Sequence, residues 1–166
     1  MTSIPRLDVF DFAAHGRDAQ GSVPVAALPR LAESLREPTG ALNYEYRGHC
    51  DAQRRPAGTL RLRGKVVLTC DRCNGPLTHE PATEQGFFFV RDEHELEALP
   101  VDPEAQADPL VGSTSFDLAA LVEDEAILAL PMSPRHARCQ AGAAPTLAVE
   151  PAPHPFAALA ALKRRG

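Results

Sequence analysis

The sequence predicts an α+β fold: an antiparallel β-sheet, able to curl into a barrel, with flanking helices and a C-terminal amphipathic tail helix. Residues 42–47 and 59–70 alternate apolar and polar side chains, which is typical of strands. Residues 24–36 and 115–131 repeat apolar residues at helical spacing, and a proline ends or closely follows each run. With 166 residues, of which 44% are hydrophobic, the chain is long enough to bury one core.

The first helix is expected within residues 24–36. Leu28, Leu31 and Leu35 share one helical face. Pro29 indicates a late start or a break, because proline interrupts a helix interior.

A hairpin follows this helix. Residues 42–47 form its first strand, residues 51–58 its turn and residues 59–70 the clearest strand of the chain. One face of the last strand holds Leu60, Leu62, Val66, Leu68 and Cys70, and the other holds Arg61, Arg63 and Lys65. We expect the apolar face to pack on the core and the other to present a basic row.

The second half continues the alternation of strand and helix. Residues 77–90 are predicted as a strand region interrupted at Pro81 and Gly86, and residues 91–115 as an exposed acidic loop. A helix then begins at Ser115 or Asp117 and ends at Pro131. Its apolar stripe holds Leu118, Leu121, Val122 and Leu128.

Two regions are predicted along the chain. Residues 1–139 form a single core domain that carries a CxxC and an HxxC motif. Residues 140–166 form a linker rich in proline and alanine that ends in a short basic amphipathic helix. No stretch approaches the length of a membrane span and no secretory signal precedes the core, so we expect a cytoplasmic protein without a membrane partner.

The formal net charge of -5 hides a strong polarity. Residues 91–125 hold eleven acids and one base, whereas residues 47–72 hold seven bases and two acids. Cations that could contact the phosphates of an anionic partner are Arg54, Arg55, Arg61, Arg63, Lys65, Arg72, Lys163, Arg164 and Arg165. Glu123, Asp124 and Glu125 form either a solvated helix face or a patch that binds a basic protein.

The cysteines carry the clearest chemical signal. Cys70 and Cys73 are spaced to chelate one zinc ion, and Cys139 with His136 completes a Cys3His ligand set. Reduced structural cysteines and a catalytic redox pair remain alternatives, with His79 and Cys50 as spare ligands. A glycine and a proline follow the CxxC and turn the chain into a strand, so metal binding or structure is favoured over redox chemistry.

Enzymatic motifs are scarce. The sequence contains no GxSxG, GxxxxGK[ST] or GxGxxG, which argues against the corresponding hydrolases and nucleotide-binding enzymes. A small zinc- or thiol-dependent oxidoreductase using the CxxC remains the alternative to a non-enzymatic role.

Three segments resemble the YceD family of large ribosomal RNA subunit accumulation proteins: LTCDRCNGPLTHE (68–80), FDLAALVEDEAILALPMSPRHARC (116–139) and HPFAALAALKRRG (154–166). By this resemblance the first motif includes Cys70, Arg72 and Cys73. The second includes Asp117, Glu123, Asp124, Glu125, Pro131, Pro134, His136 and Cys139.

The resemblance implies a non-enzymatic factor for synthesis, processing or accumulation of 23S ribosomal RNA, with no catalytic residue. The implied partners are this RNA or its precursor and a basic ribosomal protein. The only cofactor expected is the one structural zinc that the spacing of the cysteines and His136 allows.

Overall fold

The computed structural model describes residues 4–100 and 106–139. In chain order the elements are β1 (Arg6–Leu7), α1 (Val9–His15), β2 (Asp18–Pro24), a 3-10 turn (Val25–Ala27), α2 (Pro29–Glu33), β3 (Ala41–Cys50), β4 (Pro56–Gly64), β5 (Val66–Thr69), β6 (Pro76–His79), β7 (Ala82–Val90), α3 (Glu93–Glu97), β8 (Ala107–Val111), β9 (Phe116–Asp117) and α4 (Leu118–Leu128).

Five strands form the main sheet in the order β2-β3-β4-β7-β8, and two pairs, β1-β9 and β5-β6, stand outside it. All pairs are antiparallel except β7 and β8, which run parallel. The α+β class is therefore confirmed, with a mixed main sheet. Within the described residues this sheet stays open and does not close into a barrel.

The core lies between the inner face of the sheet and the helices. Alternate residues of β3 and β4 point inward, among them the fully buried Leu42 and Leu60, and α4 adds Leu118 and Val122. Helix α1 crosses β3 at Gly48, where an added Cβ would lie 2.5 Å from the backbone of Phe12. Glycine at this position allows the close contact between helix and sheet.

The predicted strand at 59–70 is two strands in separate sheets. β4 ends at Gly64, and β5 begins at Val66 and pairs with β6 instead of the main sheet. At Gly64 an added Cβ would lie 2.8 Å from the backbone oxygen of Ala41, so the chain leaves the sheet where only a glycine fits. The predicted apolar face is nonetheless buried along its whole length.

The prediction of a single loop over residues 91–115 is wrong. This stretch contains α3, which Asp92 caps through the backbone N–H of Glu95, and β8, which forms the parallel edge of the sheet. In α4 the predicted cap Asp117 accepts from the N–H of Ala120, but Leu128 is 76% exposed and does not belong to the buried stripe.

The predicted helix 24–36 is reduced to the 3-10 turn and α2, which begins at Pro29 where the sequence indicated a late start. Met1–His136 forms one unit by its internal contacts, and of the second unit, Ala137–Gly166, residues 137–139 are described. The predicted linker and tail helix at 140–166 lie outside the described residues.

Candidate metal centre

The CxxC motif lies in the turn that joins β5 to β6. The N–H of Cys70 donates to the carbonyl of Gly75 and the N–H of Asn74 to the carbonyl of Cys70, each at 2.9 Å. Asn74 adopts φ +53°, a left-handed conformation that asparagine tolerates better than most residues. This tight turn, which we call the knuckle (residues 70–75), places Cys70 and Cys73 on the same side.

A second segment, which follows α4, is joined to the knuckle by two hydrogen bonds at Asp71. The N–H of Asp71 donates to the carbonyl of Pro134 at 2.9 Å, and the Ser133 hydroxyl donates to the Asp71 carboxylate at 2.7 Å. These contacts bring His136 to the knuckle although it lies more than 60 residues further along the chain. Its N–H donates to the Cys70 sulfur at 3.5 Å, and its Nδ1 lies 3.4 Å from the Cys73 sulfur.

The potential ligand atoms of Cys70, Cys73, His136 and Cys139 all lie within 4.8 Å of one another. A tetrahedral zinc centre with Zn–S bonds of about 2.3 Å separates its sulfurs by about 3.8 Å, so a small contraction would close these side chains around an ion. Three thiols and one imidazole form a common structural zinc set. The four residues could therefore hold a metal, as their spacing in the sequence indicates.

The Cys70 sulfur lies in an environment that favours the thiolate. Burial raises the pKa of the Cys70 thiol, but N–H donors from the backbones of His136, Arg72 and Cys73 outweigh it and lower the pKa to about 5. The thiolate is the metal-binding form of cysteine. Donors from both segments thus prepare this buried sulfur as a ligand.

The imidazole of His136 is oriented from its other side. Its Nε2 lies 3.0 Å from the carbonyl of Pro76, which can only accept a hydrogen bond. In the neutral ring Nε2 therefore carries the proton, and the Nδ1 lone pair faces the cysteines. Carbonyl partners of this kind are usual for metal-binding histidines.

The spare ligands lie elsewhere. The Nε2 of His79 is 3.3 Å from the carbonyl of Ala129, and the Cys50 thiol donates to the carbonyl of Ala13 at 3.8 Å. In the described part of the chain, neither belongs to the metal-type cluster.

Comparison with known proteins identifies the family to which the chain is similar. The family model of the large ribosomal RNA subunit accumulation protein YceD matches residues 58–163, which include the knuckle and His136. A large ribosomal RNA subunit accumulation protein YceD from Haemophilus influenzae is 30% identical over 167 residues, covering 96% of this chain and 95% of the relative.

The chain belongs to the YceD family.

No solved structure matches the chain. Among the described residues of this YceD-family chain, no helix is long and apolar enough to cross a membrane.

The basic row predicted on β4 is largely paired with acids. Arg61 contacts Glu84 on the neighbouring strand at 3.0 Å, which raises the pKa of Arg61 and lowers that of Glu84. Lys65 lies 3.9 Å from Glu80. Arg63, in contrast, has no carboxylate within ion-pair distance in the part of the chain that is described. The sheet face is therefore a mixed surface and not a row of free cations.

Several exposed arginines without an acidic partner surround the knuckle. Arg72 lies within it and Arg135 beside His136, and neither forms an ion pair with any described residue. Arg36 donates from Nη1 to the carbonyl of Asn74 at 2.7 Å. Sequence reasoning had found Arg72 but missed Arg36 and Arg135. Arg135 could have been found from its position next to His136, whereas nothing local connects Arg36 to the knuckle.

The three acids of α4 form neither the predicted solvated face nor the predicted patch for a basic protein. Glu123 and Glu125 are buried, and of the three acids only Asp124 is exposed. The Glu123 carboxylate accepts from the N–H groups of Arg30 and Leu31 at 2.7 and 3.1 Å, and from Arg30 Nε at 3.0 Å. Because α2 has no capping side chain of its own, Glu123 satisfies the N–H groups of its first turn.

Glu125 is expected to make stability depend on pH. Burial raises its pKa, and the neighbouring charges of Asp108 and Asp124 raise it further. The folded state therefore favours the protonated form of Glu125. The stability that this proton provides is complete below the ordinary glutamate pKa of about 4.5 and is lost as the pH rises through the raised folded-state pKa. Urea unfolding at pH 4 and pH 7 should show Glu125→Gln stabilising the protein relative to wild type at pH 7 only.

The matched control is Glu33→Gln, the same substitution at an exposed glutamate outside α4. An equal effect of Glu125→Gln at both pH values would contradict the expectation.

Proposed function

We propose that this YceD-family chain is a non-enzymatic ribosome-biogenesis factor that supports accumulation of 23S ribosomal RNA by binding this RNA or its precursor in the cytoplasm. The relative from Haemophilus influenzae is named for the accumulation of large-subunit ribosomal RNA, and the match covers almost the whole chain. A structural zinc bound by Cys70, Cys73, His136 and Cys139 would hold the RNA-binding surface together.

The observation that carries the proposal is the position of the free cations. Arg72, Arg135 and Arg36 surround the knuckle without a carboxylate partner among the described residues. Phosphate contacts need cations that are not already neutralised, because their binding energy comes largely from counterion release. A metal-fixed turn would hold these arginines at fixed separations, which favours contact with successive phosphates.

The remaining arginines predicted to contact RNA differ in whether they form an ion pair with an acid. Arg54 and Arg63 form no ion pair in the described part, although the charge of Arg63 also lowers the pKa of Glu84. Arg55, in contrast, pairs with Asp51 at 2.6 Å and Arg61 with Glu84 at 3.0 Å. We propose the first two as further phosphate contacts. The basic tail, Lys163 to Arg165, lies outside the described residues and stays a prediction.

A basic ribosomal protein is proposed as a second partner. Exposed acids are concentrated on and around α3, at Asp92, Glu93 and Glu97. This acidic surface would attract a cationic protein.

The alternative of a small oxidoreductase has no support. A redox CxxC relies on a helix N-terminus to lower the thiol pKa, whereas here the motif lies between two strands. The lowered pKa of Cys70 arises from the backbone N–H of His136 and from N–H groups of the turn.

RNA binding by the knuckle arginines can be tested with a labelled 23S precursor fragment. The variant Arg72→Gln/Arg135→Gln should weaken binding about tenfold at ~0.1 M salt and reduce the salt slope by about 1 to 2. The matched control, Arg47→Gln/Arg61→Gln, removes the same charge from arginines that pair with Asp18 and Glu84.

The control should bind within about twofold of wild type, because its cations are already neutralised. Equal losses in both variants would indicate a dependence on net charge alone. An unchanged affinity of the knuckle variant would contradict the proposed interface.

A further inference from the structure

A second basic site lies away from the metal centre. A cleft of about 650 Å³ opens between the turn that joins β3 to β4, the end of β7 and helix α3. Its walls include Phe10, Arg54, Arg55, Phe88, Arg91 and Leu99. The volume falls within the range of small-ligand sites, about 300–1,000 Å³.

The turn that carries two of these arginines is held by one carboxylate. Asp51 accepts from the N–H groups of Gln53 and Arg55 at 3.0 and 2.8 Å. The N–H of Arg54 donates to the carbonyl of Asp51 at 2.9 Å, and Arg54 adopts φ +62°. A non-glycine residue in this region is unfavourable unless its surroundings hold it there, so the turn is fixed and not merely exposed.

Arg55 forms a flat platform in the cleft. Its guanidinium carbon lies 3.7 Å above the centre of the Phe88 ring, and its Nε donates to Asp51 at 2.6 Å. One guanidinium face therefore stacks on the ring while the side chain remains 41% exposed. Since Asp51 neutralises the charge, the free face suits a second flat ring better than a phosphate.

Arg54 and Arg91 provide charge at the same cleft. In the described ranges neither guanidinium contacts a carboxylate, and the one acid of the lining, Glu95, accepts from the backbone N–H of Arg91 at 2.9 Å. Because Asp51 neutralises Arg55, the lining holds two arginines without an ion pair and one acid. Its ligand is expected to be anionic.

We propose that this cleft binds one nucleotide of single-stranded RNA, with its base stacked on Arg55 and the adjoining phosphates contacting Arg54 and Arg91. The proposal rests on the function proposed above and extends it to a second site. A single-stranded nucleotide meets both requirements of the cleft, because it presents a free base face next to a phosphate. The bases of an A-form duplex are stacked on one another, so a duplex offers no such face.

The test measures the anisotropy of labelled ten-nucleotide oligouridine and oligoadenosine RNA, with a blunt RNA hairpin as the duplex. Arg54→Gln/Arg91→Gln removes the proposed phosphate contacts. Arg55→Lys keeps the positive charge but removes the planar guanidinium group on which the base would stack. Each variant should weaken single-strand binding about fivefold or more, with duplex binding within about twofold of wild type. Thermal unfolding of each variant reports whether the fold is kept.

The matched control Arg17→Gln/Arg47→Gln also removes two charges, from arginines that pair with Asp11 and Asp18. It should bind single strands within about twofold of wild type. An equal loss in this control, or full affinity of Arg55→Lys, would overturn the stacking site. A polyglutamate peptide that displaces the RNA at equal charge concentration would overturn the assignment to RNA.

The two proposals fail in different ways. If wild-type protein binds neither single strands nor the precursor fragment, both are wrong. If it binds RNA through the knuckle arginines while the cleft variants bind like wild type, the cleft proposal alone is wrong.

Discussion

Replacement of Cys70 by serine is expected to abolish zinc binding and to unfold the knuckle. Cys70 is fully buried, accepts the N–H of His136 and lies with three other potential ligands within 4.8 Å. Metal bound only by the folded chain adds its binding energy to folding, so the free energy of unfolding should fall by about 3 kcal/mol or more. Metal analysis by mass spectrometry should give one zinc per wild-type chain and almost none in the variant.

Cys50→Ser is the matched control. Cys50 is also a free cysteine, but its thiol donates to the carbonyl of Ala13 and lies outside the cluster. This variant should keep one zinc per chain and unfold close to the wild-type denaturant concentration. The metal centre would be ruled out if the wild-type protein were purified without zinc and also bound no zinc on titration. It would also be ruled out if Cys70→Ser retained its zinc.

The second large loss of stability is expected on replacement of Glu123. Glu123→Ala removes the acceptor of two backbone N–H groups at the start of α2 and one partner of the Arg30 guanidinium. One of these donors, the N–H of Leu31, is buried and would be left without a partner. The loss should be about 2–4 kcal/mol in the free energy of unfolding, measured by urea titration at pH 7.

Two further variants identify the cause. Glu123→Gln keeps an oxygen for the N–H groups and should lose less than the alanine variant. Asp124→Ala removes the exposed partner of Arg30 and should cost less than about 1 kcal/mol. If Asp124→Ala were as destabilising as Glu123→Ala, the ion pair and not the backbone contact would explain the effect.

The strands with a clear alternation could be predicted from the sequence. In β3 and β4 every second residue meets the core, because one face of the sheet is covered by helices and the other is open. The β8 strand could not be found in this way. It is short, contains Pro109 and lies at an edge, and its order depends on parallel pairing with β7, which is a contact between distant segments.

The acids of α4 show a second reason why burial could not be predicted from the sequence. Helical spacing predicts one buried stripe, but Glu123 and Glu125 are buried as well, since α4 packs against α2 in addition to strand β4. Whether an acid on a helix faces water or a neighbouring helix depends on the neighbour. Arg30, which meets Glu123, lies 93 residues earlier in the chain.

The sequence by itself determined the composition of the Cys/His cluster. Chelation chemistry requires particular side chains at short spacing, and Cys70 with Cys73 and His136 with Cys139 carry that information locally. Only the tertiary structure decided which of the described arginines form no ion pair. Ion pairs form between side chains that folding brings together, so Glu84 neutralises Arg61 across two strands while Arg72 and Arg135 remain exposed beside the knuckle.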